Sequence, residues 1–186
     1  MIHLLFATTN ENKIKEAQEI LGIKIKGIKL NIDEIQTFDP REAVCKKAYN
    51  AYLAYKKPVL VEDTSLFFES WNGLPGVFID YFMESVGIKG LLKMLKFTKN
   101  RKAKAITYLG IYDGKKYYTF KGEIQGKISQ KPKGNSGFGW DPIFVPKGFS
   151  KTFAQMTTEE KNKISMRKKA LLKLKKEMKK SVSKLY

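Results

Sequence analysis

The stretch Pro58-Val59-Leu60-Val61-Glu62-Asp63-Thr64-Ser65 constrains this chain more than any other. Three branched apolar residues in a row read as a buried strand. They run straight into two adjacent carboxylates and two hydroxyls. Carboxylates left unpaired beside a core cost several kcal/mol, so a strand whose exit carries Glu62 and Asp63 predicts something that offsets their charge. A bound divalent cation is the simplest such group, and the stretch is expected to bring metal and phosphate to a strand end.

The flanking segments fit an α/β chain. Ile2 to Ala7 predicts a first buried strand, followed by Thr8-Thr9-Asn10-Glu11-Asn12-Lys13 and a helix with Ile14, Ala17 and Leu21 on one face. Hydroxyls, an amide and a lysine at a helix start suit phosphate, because free backbone N–H groups point outward there. Simple capping by Thr9 or Asn10 explains the same residues, and the two roles are compatible. The glycines and Gly-Lys-Ser/Thr ending of a Walker A loop are missing. Ile23 to Leu30 alternates apolar and basic residues and predicts a strand exposed on one side. Asp39, Pro40 and Glu42 mark the start of a second helix with Val44, Ala48, Ala51 and Tyr55 inward, ended by Lys57-Pro58.

Beyond the focal strand, Asp80 is expected to cap a third helix from Tyr81 to about Leu95, interrupted near Gly87 and Gly90. Ala103 to Tyr112 predicts a strand, and Asp113-Gly114 a two-residue hairpin. Tyr117 to Phe120 and Glu123 to Ser129 predict two further strands. Lys131 to Gly139 predicts a glycine-rich loop whose backbone a ligand could approach closely. Phe138-Gly139-Trp140-Asp141-Pro142 then offers two aromatics and an acid that could read a planar base, or serve as core. Thr157 and Glu160 fit a capping box, and Leu171, Leu174, Met178, Val182 and Leu185 predict one long surface helix in which Lys161, Arg167 and Lys168 could turn inward. Strands alternating with helices, with a hairpin inserted late, predict an α/β fold with an elongated mixed β-sheet flanked by helices. No repeat or linker divides residues 1–186, so a single domain is expected.

The 186 residues carry 36 Lys and Arg against 18 Asp and Glu, a net charge of +18. Such a surface attracts polyanions, either nucleic acid or small nucleotides. The lysines are spread along the chain, and a pure nucleic-acid module leaves Glu34, Glu62 and Asp63 unexplained. Nucleic-acid binding is therefore expected to be weak and non-specific. No apolar run reaches the ~20 residues of a membrane span, and no signal-peptide pattern is present, so a cytoplasmic protein is expected. The single cysteine, Cys45, excludes an internal disulfide and a cysteine-built zinc cage, and reads as a packed small hydrophobe.

Taken together, Thr8 to Lys13, Val59 to Thr64 with Gly73-Leu74-Pro75-Gly76, Phe138 to Pro142 and Glu159 to Arg167 resemble the Ham1-like inosine triphosphate pyrophosphatase family, in order and over nearly the whole chain. The resemblance implies two lobes around a nucleotide-binding cleft and a homodimer. It also implies Mg²⁺-dependent hydrolysis of ITP, dITP and XTP to the monophosphate and pyrophosphate. On the same basis Thr8, Thr9, Asn10, Glu11, Asn12, Lys13, Lys46 and Thr64 would serve the phosphates. Glu34, Glu62 and Asp63 would hold the metal, with Asp63 as proton acceptor. Phe138 would stack on the base, Gly139, Trp140 and Asp141 would line its pocket, and Lys161, Met166 and Arg167 would complete the site. Arg167 can only donate hydrogen bonds and an ionised Asp141 can only accept them. Such a pair suits the 6-oxo acceptor and N1–H donor of hypoxanthine and xanthine and opposes adenine. The family pattern has Gly where this chain has Thr9, and His where it has Met166. A nucleotide-binding relative without hydrolysis, or a basic nucleic-acid-binding protein, is the alternative.

Overall fold

The computed structural model describes residues 4–33 and 35–182, the last two of these as backbone only. Among the described residues, seven strands and six α-helices follow one another as β1 (Leu4–Ala7), α1 (Glu11–Leu21), β2 (Ile25–Ile28), α2 (Pro40–Tyr55), β3 (Val61–Phe68), β4 (Pro75–Gly76), α3 (Ile79–Ser85), α4 (Gly87–Met94), β5 (Lys102–Tyr112), β6 (Tyr117–Ile128), β7 (Phe144–Pro146), α5 (Thr158–Ile164) and α6 (Met166–Val182). This is a mixed α/β fold. β1 and β2 pair in parallel, and a five-stranded sheet has the order β4-β3-β5-β6-β7. The chain forms two compact units. Unit 1 comprises residues 1–63, 107–122 and 166–186; unit 2 comprises 64–106 and 123–165.

In unit 1 the strands alternate their side chains between two apolar layers, as a period of two requires. Leu60 and Leu109 join Phe6, Leu21, Leu171 and Leu174 on one side, under α1 and α6. Val59 and Val61 join Val44, Ala48 and Ala51 on the other, under α2, with Tyr108 and Tyr112 against them. Leu60 also forms a parallel bridge with Phe6, its N–H donating to the Leu5 carbonyl (2.9 Å) and its carbonyl accepting from the Ala7 N–H (2.9 Å). The residues just ahead of Glu62 are therefore locked into the middle of this unit. Asn10 caps α1, its Oδ1 accepting from the N–H groups of Asn12 (3.0 Å) and Lys13 (3.3 Å).

In unit 2, Leu66, Phe68, Ala103, Ala105, Ile124, Ile128, Phe144 and Phe153 are buried. Phe144 stands between Trp140 and Phe153, with ring centroids at 5.4 and 5.2 Å. Arg101 clamps the edge of this unit by donating to the carbonyls of Ile128, Leu95 and Ser129.

Several expectations are corrected. Glu62 and Asp63 lie near the start of β3, not at a strand exit, because the strand runs on from Val61 to Phe68. Asp39 caps α2 through the Arg41 N–H (2.8 Å), but Glu42 takes the hydroxyl of Thr37 and does not close a capping box. Tyr55, expected inward, is exposed. The helix expected from Tyr81 is two helices broken at Gly87, whose φ of +62° suits only glycine well; Asp80 sits inside the first turn of α3 and Phe78 precedes it. Tyr117 to Ser129 holds one strand, β6, where two were expected.

The long C-terminal helix is also two. Thr157 and Glu160 form the expected capping box on α5, and Ser165, extended at ψ 153°, separates it from α6. Leu185 and Glu34 fall outside the described residues. Among the described residues no helix is long and apolar enough to cross a membrane.

Candidate functional site

Two buried ionic clusters, one in each unit, gather six of the residues singled out in the sequence: Lys13, Glu62 and Arg167 in one, Phe138, Asp141 and Lys161 in the other. The cluster of unit 1 centres on Glu62, whose side chain is 2% exposed. Arg167, at the start of α6, lays its guanidinium flat against it, with Nε to Oε2 at 2.7 Å and Nη2 to Oε1 at 2.9 Å. Its remaining arm, Nη1, reaches Glu16 Oε2 on α1 at 2.6 Å. Lys13 adds a second cation to Glu62, Nζ to Oε1 at 3.2 Å. Such a fork matches the carboxylate plane, which is why arginine and not lysine suits the position. Burial alone would push the Glu62 carboxyl up, but the charges of Arg167 and Lys13 outweigh it and hold the group well below the usual carboxylate range. Burial pulls the Arg167 guanidinium down, and Glu62 and Glu16 raise it well above its ordinary value. Both ends of the pair stay charged.

This alters the reading of the focal stretch. The charge of Glu62 is offset by two protein cations, so its burial does not by itself call for a metal. Both of its oxygens accept from Arg167, and Oε1 also faces Lys13. Asp63, the next residue on β3, is half-buried and offers a carboxylate that Mg²⁺, with its preference for one or two carboxylates plus phosphate oxygens, could use. Among the described residues no group of three or more His, Cys, Asp or Glu is placed to hold a metal ion, and Glu34 lies outside them. Glu16 was not singled out in the sequence. Its signal was there: three residues after Lys13 on a helix, it shares that lysine's face.

Around this cluster, Thr8 Oγ1 accepts from the Asn10 N–H (3.1 Å), while Thr9, Glu11 and Asn12 are exposed at the start of α1. Lys46 stands on α2, exposed, with Nζ 5.1 Å from the Tyr49 ring centroid. Met166 is buried at 2% exposure, so its side chain packs in the interior of unit 1. The same residue explains Gly122 on β6: a Cβ there would lie 1.8 Å from the Met166 carbonyl oxygen, so glycine lets the start of α6 press onto the strand.

In unit 2, Asp141 and Lys161 form the second cluster, Nζ to Oδ2 at 2.7 Å, with both side chains 5% exposed. The same Oδ2 accepts from the Phe138 N–H at 2.9 Å. The ammonium lies 4.7 Å from the Phe138 ring centroid and 5.6 Å from that of Phe153, a cation–π arrangement that holds a charge without water. Phe138 is half-buried and Gly139, at φ +58°, is exposed beside it. Gly137 has no room for a side chain: at φ +76° its Cβ would meet Asp141 Oδ2 at 2.1 Å. Trp140 is buried against Phe144 and serves the core. The partner of Asp141 is thus Lys161 in its own unit, and the three guanidinium nitrogens of Arg167 are occupied in unit 1. Thr64 follows Asp63 on β3 and is half-buried.

The Ham1 family model matches residues 4–177. A dITP/XTP pyrophosphatase of Thermococcus kodakarensis is 43% identical over 176 residues, covering 91% of this chain and 94% of the relative. One from Hyperthermus butylicus is 41% identical over 170 residues, covering 90% of each. An inosine triphosphate pyrophosphatase of Trypanosoma cruzi is 41% identical over 174 residues, covering 90% of this chain and 88% of the relative. Among solved structures, a Ham1 protein from Coxiella burnetii superposes with a TM-score of 0.85 at 27% identity, covering 97% of this chain and all of that one. The Staphylococcus aureus Ham1 protein superposes with a TM-score of 0.83 at 26% identity and the same coverage. With the family model spanning nearly its whole length, this chain belongs to the Ham1 family.

Proposed function

We propose that the protein is a nucleoside triphosphate pyrophosphohydrolase that cleaves ITP, dITP and XTP between the α- and β-phosphoryl groups, giving the monophosphate and pyrophosphate. Relatives named dITP/XTP pyrophosphatase, about 40% identical over nine-tenths of the chain, support the reaction. The observation that carries it is the start of α1 in unit 1, where Lys13 and the backbone N–H groups of a helix N-terminus follow β1.

In unit 1, Lys13 and the N–H groups at the start of α1 supply positive charge to the phosphates. Glu62, ionised and clamped, keeps Lys13 in place. Asp63 is the half-buried carboxylate next to Glu62 on β3, and its role is to accept a proton from the attacking water. Asp63, with Glu34 and Glu62 as the family resemblance implies, would hold Mg²⁺. When bound, the ion neutralises developing charge on the phosphoryl oxygens. In unit 2, Lys161 can only donate and Asp141 can only accept. That pair suits a 6-oxo purine, with Phe138 offering a ring face to stack on. Adenine reverses the donor and acceptor, and each mismatch left buried costs about 1–3 kcal/mol.

A homodimer fits the apolar side chains exposed along α3 and α4 and just beyond, namely Tyr81 (56%), Val86 (43%), Met94 (51%) and Phe97 (91%). A cytoplasmic setting fits an enzyme of the nucleotide pool. The deciding experiment is product analysis with ITP, XTP, GTP and ATP in the presence of Mg²⁺. Faster turnover of ITP and XTP with release of pyrophosphate is expected. Equal rates on all four, or release of orthophosphate, overturns the reading.

A further inference from the structure

One face of the sheet in unit 2 lies outside both ionic clusters. Burial alternates along its strands. Leu66 and Phe68 are buried while Phe67 between them is half-exposed; Ala103 and Ala105 are buried while Lys102 and Lys104 point outward; Ile124 and Ile128 are buried while Gln125 and Lys127 are exposed. The outward set lines a concavity of about 790 Å³, whose rim is completed after β7 by Lys147 and Phe149.

Four lysines, residues 102, 104, 127 and 147, line this hollow against one acid, Glu69. That acid is already engaged by Asn100 Nδ2 (3.1 Å) and Lys102 Nζ (3.7 Å). Lys104 lies along the Phe67 ring, Nζ 5.4 Å from its centroid, and Phe149 is 47% exposed. Basic residues outnumber acids by 36 to 18 over the whole chain, and by four to one on this face. Here aromatic surface is ringed by cations, which is the chemistry of stacking combined with phosphate pairing. The volume falls in the range of small-molecule sites. Four strands spaced by ~4.8 Å span about 14 Å, enough for a single nucleoside polyphosphate.

We propose that this concavity is a second, non-catalytic binding site for a free nucleoside polyphosphate. None of its residues belongs to the proposed catalytic machinery, so it stands whether or not that reading holds.

The test is titration of the ¹⁵N-labelled full chain with α,β-methylene-ATP, whose carbon bridge resists cleavage between the α- and β-phosphoryl groups. Saturable shifts at the amides of Phe67, Lys104, Lys127, Lys147 and Phe149 are expected. Calorimetry on a Lys104→Glu, Lys127→Glu double variant should show at least tenfold weaker binding at this site, with turnover of dilute ITP within twofold of the unmodified enzyme. Shifts confined to the surroundings of Lys13 and Asp141 would sink the proposal. So would unchanged binding by the double variant, a change in its sedimentation that marks the face as a self-association surface, or tighter engagement of the same amides by a ten-residue oligothymidylate. Shifts at these amides in a protein that fails to hydrolyse ITP would leave this site standing and remove the catalytic reading alone.

Discussion

Arg167 meets both oxygens of Glu62 at once, through Nε at 2.7 Å and Nη2 at 2.9 Å, in a contact almost closed to water. The pair links β3 to the start of α6, and Glu16 extends it to α1. Removing one member of a buried pair leaves the other uncompensated, which costs about 3–5 kcal/mol. Glu62→Gln should therefore lower the melting temperature by roughly 6–20 °C, at 2–4 °C per kcal/mol for a chain of this size. Calorimetric melting of the two proteins side by side measures it.

The same pair carries a pH signature. The folded Glu62 carboxyl is depressed below its unfolded value, so its contribution is fully present above the unfolded carboxyl range, near 4.3. It is lost as pH falls through the lower, folded value. The melting-temperature gap between the native protein and Glu62→Gln should be full at pH 6–7 and narrow steadily below about pH 4.5. A gap that widens in acid would mean that Glu62 is not the ionised partner.

Glu62 and Asp63 are adjacent yet separable. Asp63→Asn should abolish turnover, by at least about a hundredfold if it is the base, while shifting the melting temperature far less than Glu62→Gln does. Chelation of Mg²⁺ should likewise remove activity and leave the melting temperature unchanged, because the buried charges of this region are balanced by Arg167 and Lys13. Turnover assays paired with thermal melts separate the two residues.

Base selectivity should follow Asp141 and its lysine. Asp141→Asn keeps the shape but removes the counter-charge of Lys161, which lies 2.7 Å away. The ratio of kcat/KM for ITP over ATP should fall by roughly tenfold or more, as expected for loss of one buried charged hydrogen bond. Gly137→Ala should act similarly through KM, because its Cβ would occupy the position of Asp141 Oδ2.

Gly122→Ala tests packing without touching the chemistry. The new methyl would meet backbone, the Met166 carbonyl, which cannot swing aside as a side chain does. Forced overpacking costs about 1–3 kcal/mol or more, and the start of α6, with Arg167 on it, should be displaced. Loss of both stability and activity is expected from thermal melts and ITP turnover.

The sequence revealed the local units of this protein better than their boundaries. The Asn10 cap, the Asp39-Pro40 helix start and the Thr157–Glu160 box were all legible, because each is fixed by residues within four positions of one another; the hairpin at Asp113-Gly114 was legible too, but its turn lies one residue later, over Gly114-Lys115, with the Asp113 N–H donating to the Lys116 carbonyl. The break at Ser165 was not, since the apolar stripe of α6 continues the helical period and only the burial of Lys161 and Arg167 in separate clusters opposes a straight helix. The carboxylates were recognisable as special, but the partner of Glu62 lies 105 positions away, and no local rule pairs residues at that distance. For the same reason Glu16 passed as an ordinary helix surface residue. The aromatic Trp140 could not be assigned by type alone: core and ligand pocket both favour it, and only its contact with Phe144 decides.

Ser165 gives the C-terminal segment a fixed gauge. Its N–H closes α5 on the Lys161 carbonyl at 2.9 Å, and α6 begins at the next residue. Lys161 on α5 is held by the buried carboxylate of Asp141, and Arg167 on α6 by that of Glu62. One residue added after Met166 would turn Arg167 by about 100° around its helix, carrying the guanidinium off the plane of Glu62. Substitutions along the exposed face of this segment can be absorbed, but a change in its length cannot.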